Sequence, residues 1–115
     1  MKFLVTIDPV GDKGITSVSV KNGLFLEYDK SVNKVVVHTK YNHYYMLPPT
    51  KYWVNGLNNG GFFYRFVERS NAVNIQNISS IDKKQRIIEF KGTTKTCTIS
   101  RRLLKKILDE FPYLK

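Results

Sequence analysis

The sequence predicts a mainly β fold: packed antiparallel β-sheets with one short internal helix and a C-terminal amphipathic helix. Two observations carry that prediction. Turn chemistry recurs about every 8–12 residues between short β-branched and aromatic runs, a spacing that fits antiparallel meanders and not parallel βαβ units. Only the final stretch, RRLLKKILDEF, has a sustained helical period. The chain has 115 residues, 42% of them hydrophobic, and no linker, repeat or low-complexity segment. It therefore fits one domain, residues 1–115, around a single core.

Taken in order, Phe3 to Ile7 reads as a strand with Phe3, Val5 and Ile7 on one face. Asp8-Pro9 and Gly11 to Gly14 are turn chemistry, and Ile15 to Val20 alternates again. Asn22-Gly23 predicts a hairpin turn into a strand from Leu24 to Tyr28. A polar loop, Asp29 to Lys34, leads to Val35-Val36-Val37, a β-branched run expected as an inner strand. Asn42-His43 turns the chain so that Tyr44 to Leu47 pairs back. Thr50 is placed to cap a short helix over Lys51 to Leu57, ended by Asn58-Asn59-Gly60-Gly61. Phe62, Phe63, Tyr64 and Phe66 mark an aromatic strand, and Ala72 to Ile75 resumes the apolar pattern. Ile78–Ile81, Arg86–Phe90 and Thr94–Ile99 read as a meander. Ser100 then caps the last helix, which stops at Pro112. On it Leu103, Leu104, Ile107, Leu108 and Phe111 fall within an arc of about 140°, opposite Arg101, Arg102, Lys105 and Lys106.

Catalysis is poorly supplied. His38 and His43 are five residues apart, which on one strand points them to opposite faces, and His38 is expected at a strand surface. No carboxylate pair, metal-ligand cluster or phosphate-binding glycine loop is present, so neither enzyme activity nor a cofactor or metal is expected. Cys97, in a Thr-rich strand, reads as a core filler. One cysteine allows no internal disulfide, no apolar run approaches a membrane span, and the N-terminus does not resemble a signal peptide. A cytoplasmic location without membrane association is the corresponding expectation.

Charge supplies the functional clue. The net charge is +10. Residues 1–60 hold seven basic and four acidic side chains, and residues 61–115 hold twelve and five. A basic C-terminal half predicts a polyanionic partner, with nucleic acid first. Two places concentrate the signal. Glu68-Arg69-Ser70-Asn71 interrupts the aromatic core for only four residues and contains no glycine or proline. That predicts a short, tethered loop presenting Arg69 as a rigid fork for phosphate or a guanine edge. Arg101 and Arg102 occupy the first turn of the last helix, against its dipole, at a cost of a few tenths to about 1 kcal/mol. An arriving phosphate reverses the sign of that conflict.

These stretches resemble the LytTR-type DNA-binding domain, the output module of many bacterial response regulators. The resemblance rests on Phe63-Tyr64-Arg65, Arg69-Ser70, Val73-Asn74, Ile75 to Ile81 and Ser100-Arg101, in that order. Leu24 to Glu27, Val35 to Thr39 and Thr50 to Leu57 match upstream features, and the likeness runs from about Ile15 to Leu108. It implies sequence-specific binding of double-stranded DNA in bacterial or phage transcription regulation, with loops docked into successive major grooves. It implies base contacts from Asn33, Arg69 and Arg102, and backbone or supporting contacts from Ser70, Ser100, Arg101, Lys105 and Lys106. Glu68 stands where the family often has His, and could orient Arg69 or accept from a cytosine amine. Tandem half-sites are expected for DNA. With no receiver domain in the chain, control would be absent or exerted through another regulator protein. Two rival readings remain at this level: a protein-interaction module that modulates a full-length regulator, and a basic RNA-binding β-domain stacking bases on Tyr41, Tyr44 and Tyr45.

Overall fold

In the computed structural model, which describes residues 1–115, the first apolar alternation forms strand β1 (Lys2–Thr6), with Phe3 and Val5 buried. Ile7 falls beyond the strand and is exposed, because the chain is already turning at Asp8. The Asp8 carboxylate closes that turn by accepting the N–H groups of Lys13 (2.7 Å) and Asp12 (3.0 Å). Strand β2 (Ile15–Ser19) then pairs antiparallel with β1.

Asn22-Gly23 does not make the expected hairpin. Val20–Asn22 form a 3-10 turn and Gly23 is extended at φ −67°, so the chain crosses to a new place in the sheet. Strand β3 (Phe25–Asp29) pairs with β4 (Lys34–His38) and β7 (Asn71–Asn74), not with β2. Glycine is needed at position 23 for space. A Cβ there would stand 2.5 Å from the hydroxyl of buried Tyr64, which donates to the Val20 carbonyl at 3.0 Å.

Strand β5 (His43–Met46) pairs back on β4, and β6 (Tyr64–Phe66) completes a seven-stranded sheet of order β2-β1-β5-β4-β3-β7-β6. The β-branched run Val35–Val37 thus lies on its central strand, as its composition predicts. Strands β8 (Ile78–Asp82), β9 (Ile87–Phe90) and β10 (Thr96–Thr98) form the expected meander as a separate three-stranded sheet. Helix α1 (Thr50–Asn59) has Pro49, in an extended conformation, at its N-cap position; Thr50 is buried in the first turn and makes no capping bond. Its left-handed exit falls at Gly61 (φ 93°), not Gly60. Helix α2 (Arg101–Glu110) begins as predicted, with Ser100 Oγ accepting the Leu103 N–H at 3.3 Å.

The expected single core is two, divided by the large sheet. With a side-chain period of two, Phe25 and Val73 point to one face and pack with Ile88, Phe90, Ile99, Leu104 and Ile107 of the small sheet and α2. Leu26 and Ala72 point to the other and pack with Phe3, Val5, Val54 and Leu57 beneath α1. Strands β3 and β7 therefore bury adjacent residues on opposite faces, Phe25 with Leu26 and Val73 with Ala72, and such short apolar pairs do not reveal in sequence that two cores are being filled.

The histidine expectations also change. His38 and His43 stand directly opposite across the β4–β5 hairpin, with ring centroids 6.2 Å apart, so they share a face. The odd-spacing argument fails because the chain reverses between them. His38 is half-buried, not on the surface: it stacks on Phe25 at 4.2 Å and shares a 2.9 Å hydrogen bond with Glu27. Burial outweighs the Glu27 carboxylate and pushes the His38 pKa down from 6.5. Cys97 is buried, and burial pushes its thiol up to about 12, which makes it an inert filler.

Candidate nucleic-acid interface

Residues 67–71 form the tight loop that the sequence implies. The Val67 N–H donates to the Asn71 carbonyl at 3.0 Å and closes it. Three neighbours then pin it. The Ser100 N–H donates to the Val67 carbonyl (2.8 Å), the Tyr28 N–H donates to the Ser70 carbonyl (2.9 Å), and the Thr98 hydroxyl donates to the Glu68 carboxylate. Glu68 is thereby committed to strand β10 and does not orient Arg69. Arg69 itself is exposed and has no hydrogen-bond or ion-pair partner within the chain.

The bond from Ser100 to Val67 also sets the start of α2 against this loop. Ser100 occupies its cap, no acidic residue stands in the first turn, and Arg101 and Arg102 are both exposed. The C-terminal end of α2 is fixed by Arg65, whose guanidinium makes two bonds to Glu110 (2.9 and 2.8 Å) between the rings of Phe63 and Phe111. The Arg65 hydrogen bonds hold the Glu110 carboxyl below its usual range. Arg65 is thus occupied in positioning the helix.

Loop and helix start border one open cleft of about 1360 Å³. Arg69, Ser70, Ser100 and Arg102 line it together, although more than thirty positions separate the two arginines in sequence. Lys30, from the β3–β4 turn, and Lys51, from the first turn of α1, complete the lining. Four cations face one carboxylate, Glu68, which is already engaged. Sequence reasoning missed Lys30 and Lys51. Lys51 carried a usable signal, since it too is a cation in a helix first turn without an acidic neighbour. Lys30 carried none, because its position depends on which strands pair.

The other expected site residues sit nearby without lining the cleft. Asn33, in the same β3–β4 turn as Lys30, is exposed in a left-handed conformation (φ 53°). The Tyr28 hydroxyl donates to its Oδ1 at 2.7 Å, and its amide N–H groups have no partner within the chain. Arg101, Lys105 and Lys106 are exposed on α2. The three tyrosines offered for base stacking do not make one platform. Tyr44 packs toward the α1-side core, whereas the next residue along the strand, Tyr45, faces the other side against His43.

The cleft thus gathers four cations, two from loops of the large sheet and two from the first turns of α1 and α2. No group of three or more His, Cys, Asp or Glu is arranged to hold a metal, and no helix is long and apolar enough to cross a membrane. Comparison with known families sharpens the class. The LytTr DNA-binding domain model matches residues 13–111, and the chain belongs to that family. The fold is also that of a solved LytTr DNA-binding domain from Bacillus cereus, with a TM-score of 0.74, 14% identity and 94% of each chain covered. A comparison with curated proteins finds no match. The chain is accordingly a LytTr-type DNA-binding domain.

Proposed function

We propose that the domain reads specific double-stranded DNA through the cleft-bordering loops and the start of α2, inserted in major grooves, and so acts in transcription regulation. The observation that carries this reading is the convergence of Arg69, on a hydrogen-bonded loop, and Arg102, at the start of α2, both exposed and unpaired, beside Lys30 and Lys51. A guanidinium that has no internal partner and a fixed base retains its full donor set for a guanine O6 and N7. Arg69, Arg102 and Asn33 read bases in this scheme. Ser70, Ser100, Arg101, Lys105 and Lys106 position the backbone, with Lys30 and Lys51 added to them. A phosphate at the start of α2 meets the free first-turn amides after Ser100, which offsets the cost of placing Arg101 and Arg102 there.

Selection from a random duplex pool at two salt concentrations tests the reading. An enriched motif that persists at the higher salt supports base readout. Enrichment of no motif, with affinity vanishing as salt rises, would leave only backbone attraction and overturn it. Motifs recovered as pairs spaced by about one helical turn would add side-by-side binding of two copies on one DNA face. If partner control operates, a full-length regulator retained by the domain in high salt is its expected sign.

A further inference from the structure

The end of the large sheet away from Arg69 and Arg102 carries a second basic site. Strand β4 has the β3–β4 turn at its Lys34 end and the Thr39–Asn42 turn at its His38 end, about 16 Å apart at strand rise. At the latter end an open pocket of about 600 Å³ is lined by Lys21, Lys40 and Lys91, with Tyr41 and Tyr44 and several hydroxyls, and by no carboxylate. The three lysines come from three separate segments that hydrogen bonds hold together. Asn77 Nδ2 donates to the Lys21 carbonyl (2.8 Å), the Lys91 N–H donates to the Asn77 carbonyl (3.0 Å), and the Thr93 hydroxyl donates to the Lys40 carbonyl (3.1 Å).

The Lys40 side chain lies across Gly92, so near that a Cβ there would meet its Nζ at 2.8 Å, and the Lys91 Nζ donates to the Gln76 carbonyl at 3.0 Å. Lys95, from the same turn region, sends its Nζ to the Asn42 carbonyl at 2.7 Å. Neither ion pair of the molecule involves any of these lysines. Three lysines around a pocket without a carboxylate leave a positive field that an anion neutralises. Tyr41, 83% exposed on the same turn, adds a bare aromatic face. The volume is that of a small-ligand pocket, and its concave, polar lining suits a single nucleotide unit better than a convex duplex backbone.

We propose that Lys21, Lys40 and Lys91 bind the phosphate groups of a nucleotide whose base stacks on Tyr41, at a site separate from the duplex-reading cleft. The nucleotide is either free or a unit of a single strand. The assignment does not depend on how the cleft recognises DNA.

Backbone NMR of the full chain, titrated in turn with ADP, a single-stranded thymidine tetranucleotide and inorganic pyrophosphate, tests it. Shifts should centre on Lys21, Thr39–Asn42 and Lys91 and leave Arg69 and Arg102 unmoved. Lys40→Glu and Lys21→Glu, both at exposed positions, should each weaken ADP roughly tenfold or more. Tyr41→Ala should weaken ADP and the tetranucleotide but not pyrophosphate. Tighter binding of ADP than of the tetranucleotide assigns a free nucleotide, and the reverse order assigns a strand. Shifts spread over all the lysines, or affinity unchanged in both glutamate variants, would overturn the site. ADP and pyrophosphate binding equally, with Tyr41→Ala silent, would overturn the nucleotide assignment.

Discussion

Replacing Arg69 by alanine separates recognition from stability more cleanly than any other change in the molecule. The side chain is exposed and makes no internal hydrogen bond or ion pair, so its loss should alter unfolding free energy by no more than about 0.5 kcal/mol. The loop should also keep its shape, because its anchors are the Val67 and Ser70 carbonyls and the Glu68 carboxylate. What disappears is one bidentate donor set, worth about 1–3 kcal/mol of base discrimination, or about five- to 150-fold in Kd. Fluorescence anisotropy on the selected duplex and on a scrambled one of equal length, at one salt concentration, measures both quantities, with a thermal melt as the folding control. The expected result is a loss on the selected duplex that far exceeds the loss on the scrambled one. Arg69→Lys, which keeps the charge and loses the fork, should retain the scrambled affinity yet still lose preference. Equal losses on the two duplexes would make Arg69 a phosphate contact. An unchanged preference in a folded variant would remove the loop from base recognition altogether.

Lys105→Ala should weaken binding to every duplex alike and lower the slope of log affinity against log salt by about 1, measured by anisotropy across a salt series. A double-mutant cycle on Arg65→Met and Glu110→Gln, read by urea unfolding, should give a coupling of about 0.5–1 kcal/mol, kept small by solvent around the pair. Because the folded Glu110 pKa lies below its unfolded value of about 4.5, that coupling is present above this pH and vanishes as pH falls through the folded value. His38 behaves in the same direction for a different reason. Burial lowers its folded pKa below 6.5, so the unfolded chain takes up the proton first. Stability should fall as pH drops below about 6.5 toward the folded value, and His38→Asn should flatten that part of a melting profile recorded against pH. A profile as steep in the variant as in the parent would assign the acid sensitivity to other groups.

Much of the protein was set by short-range pattern. Apolar alternation, turn residues and the β-branched run placed the strands to within a residue or two. Ser100 and the period of Leu104 and Ile107 fixed α2 and its buried face. The four-residue polar break between buried Val67 and Ala72 was enough to foretell a held loop with Arg69 outside, since a chain that must return to a core so soon has little room to wander. Partner choice between strands lay beyond such reasoning. Asn22-Gly23 looked like a hairpin because its turn propensity is local, yet the buried Tyr64 hydroxyl and the pairing of β3 with β7 decided its conformation. The shared face of His38 and His43, the division of the core, and the meeting of Lys30 and Lys51 with Arg69 and Arg102 all follow from strand order. Periodicity along a chain records which side of an element is apolar. Which elements lie beside one another is decided by the burial of those sides together, and that is a property of the whole packed molecule.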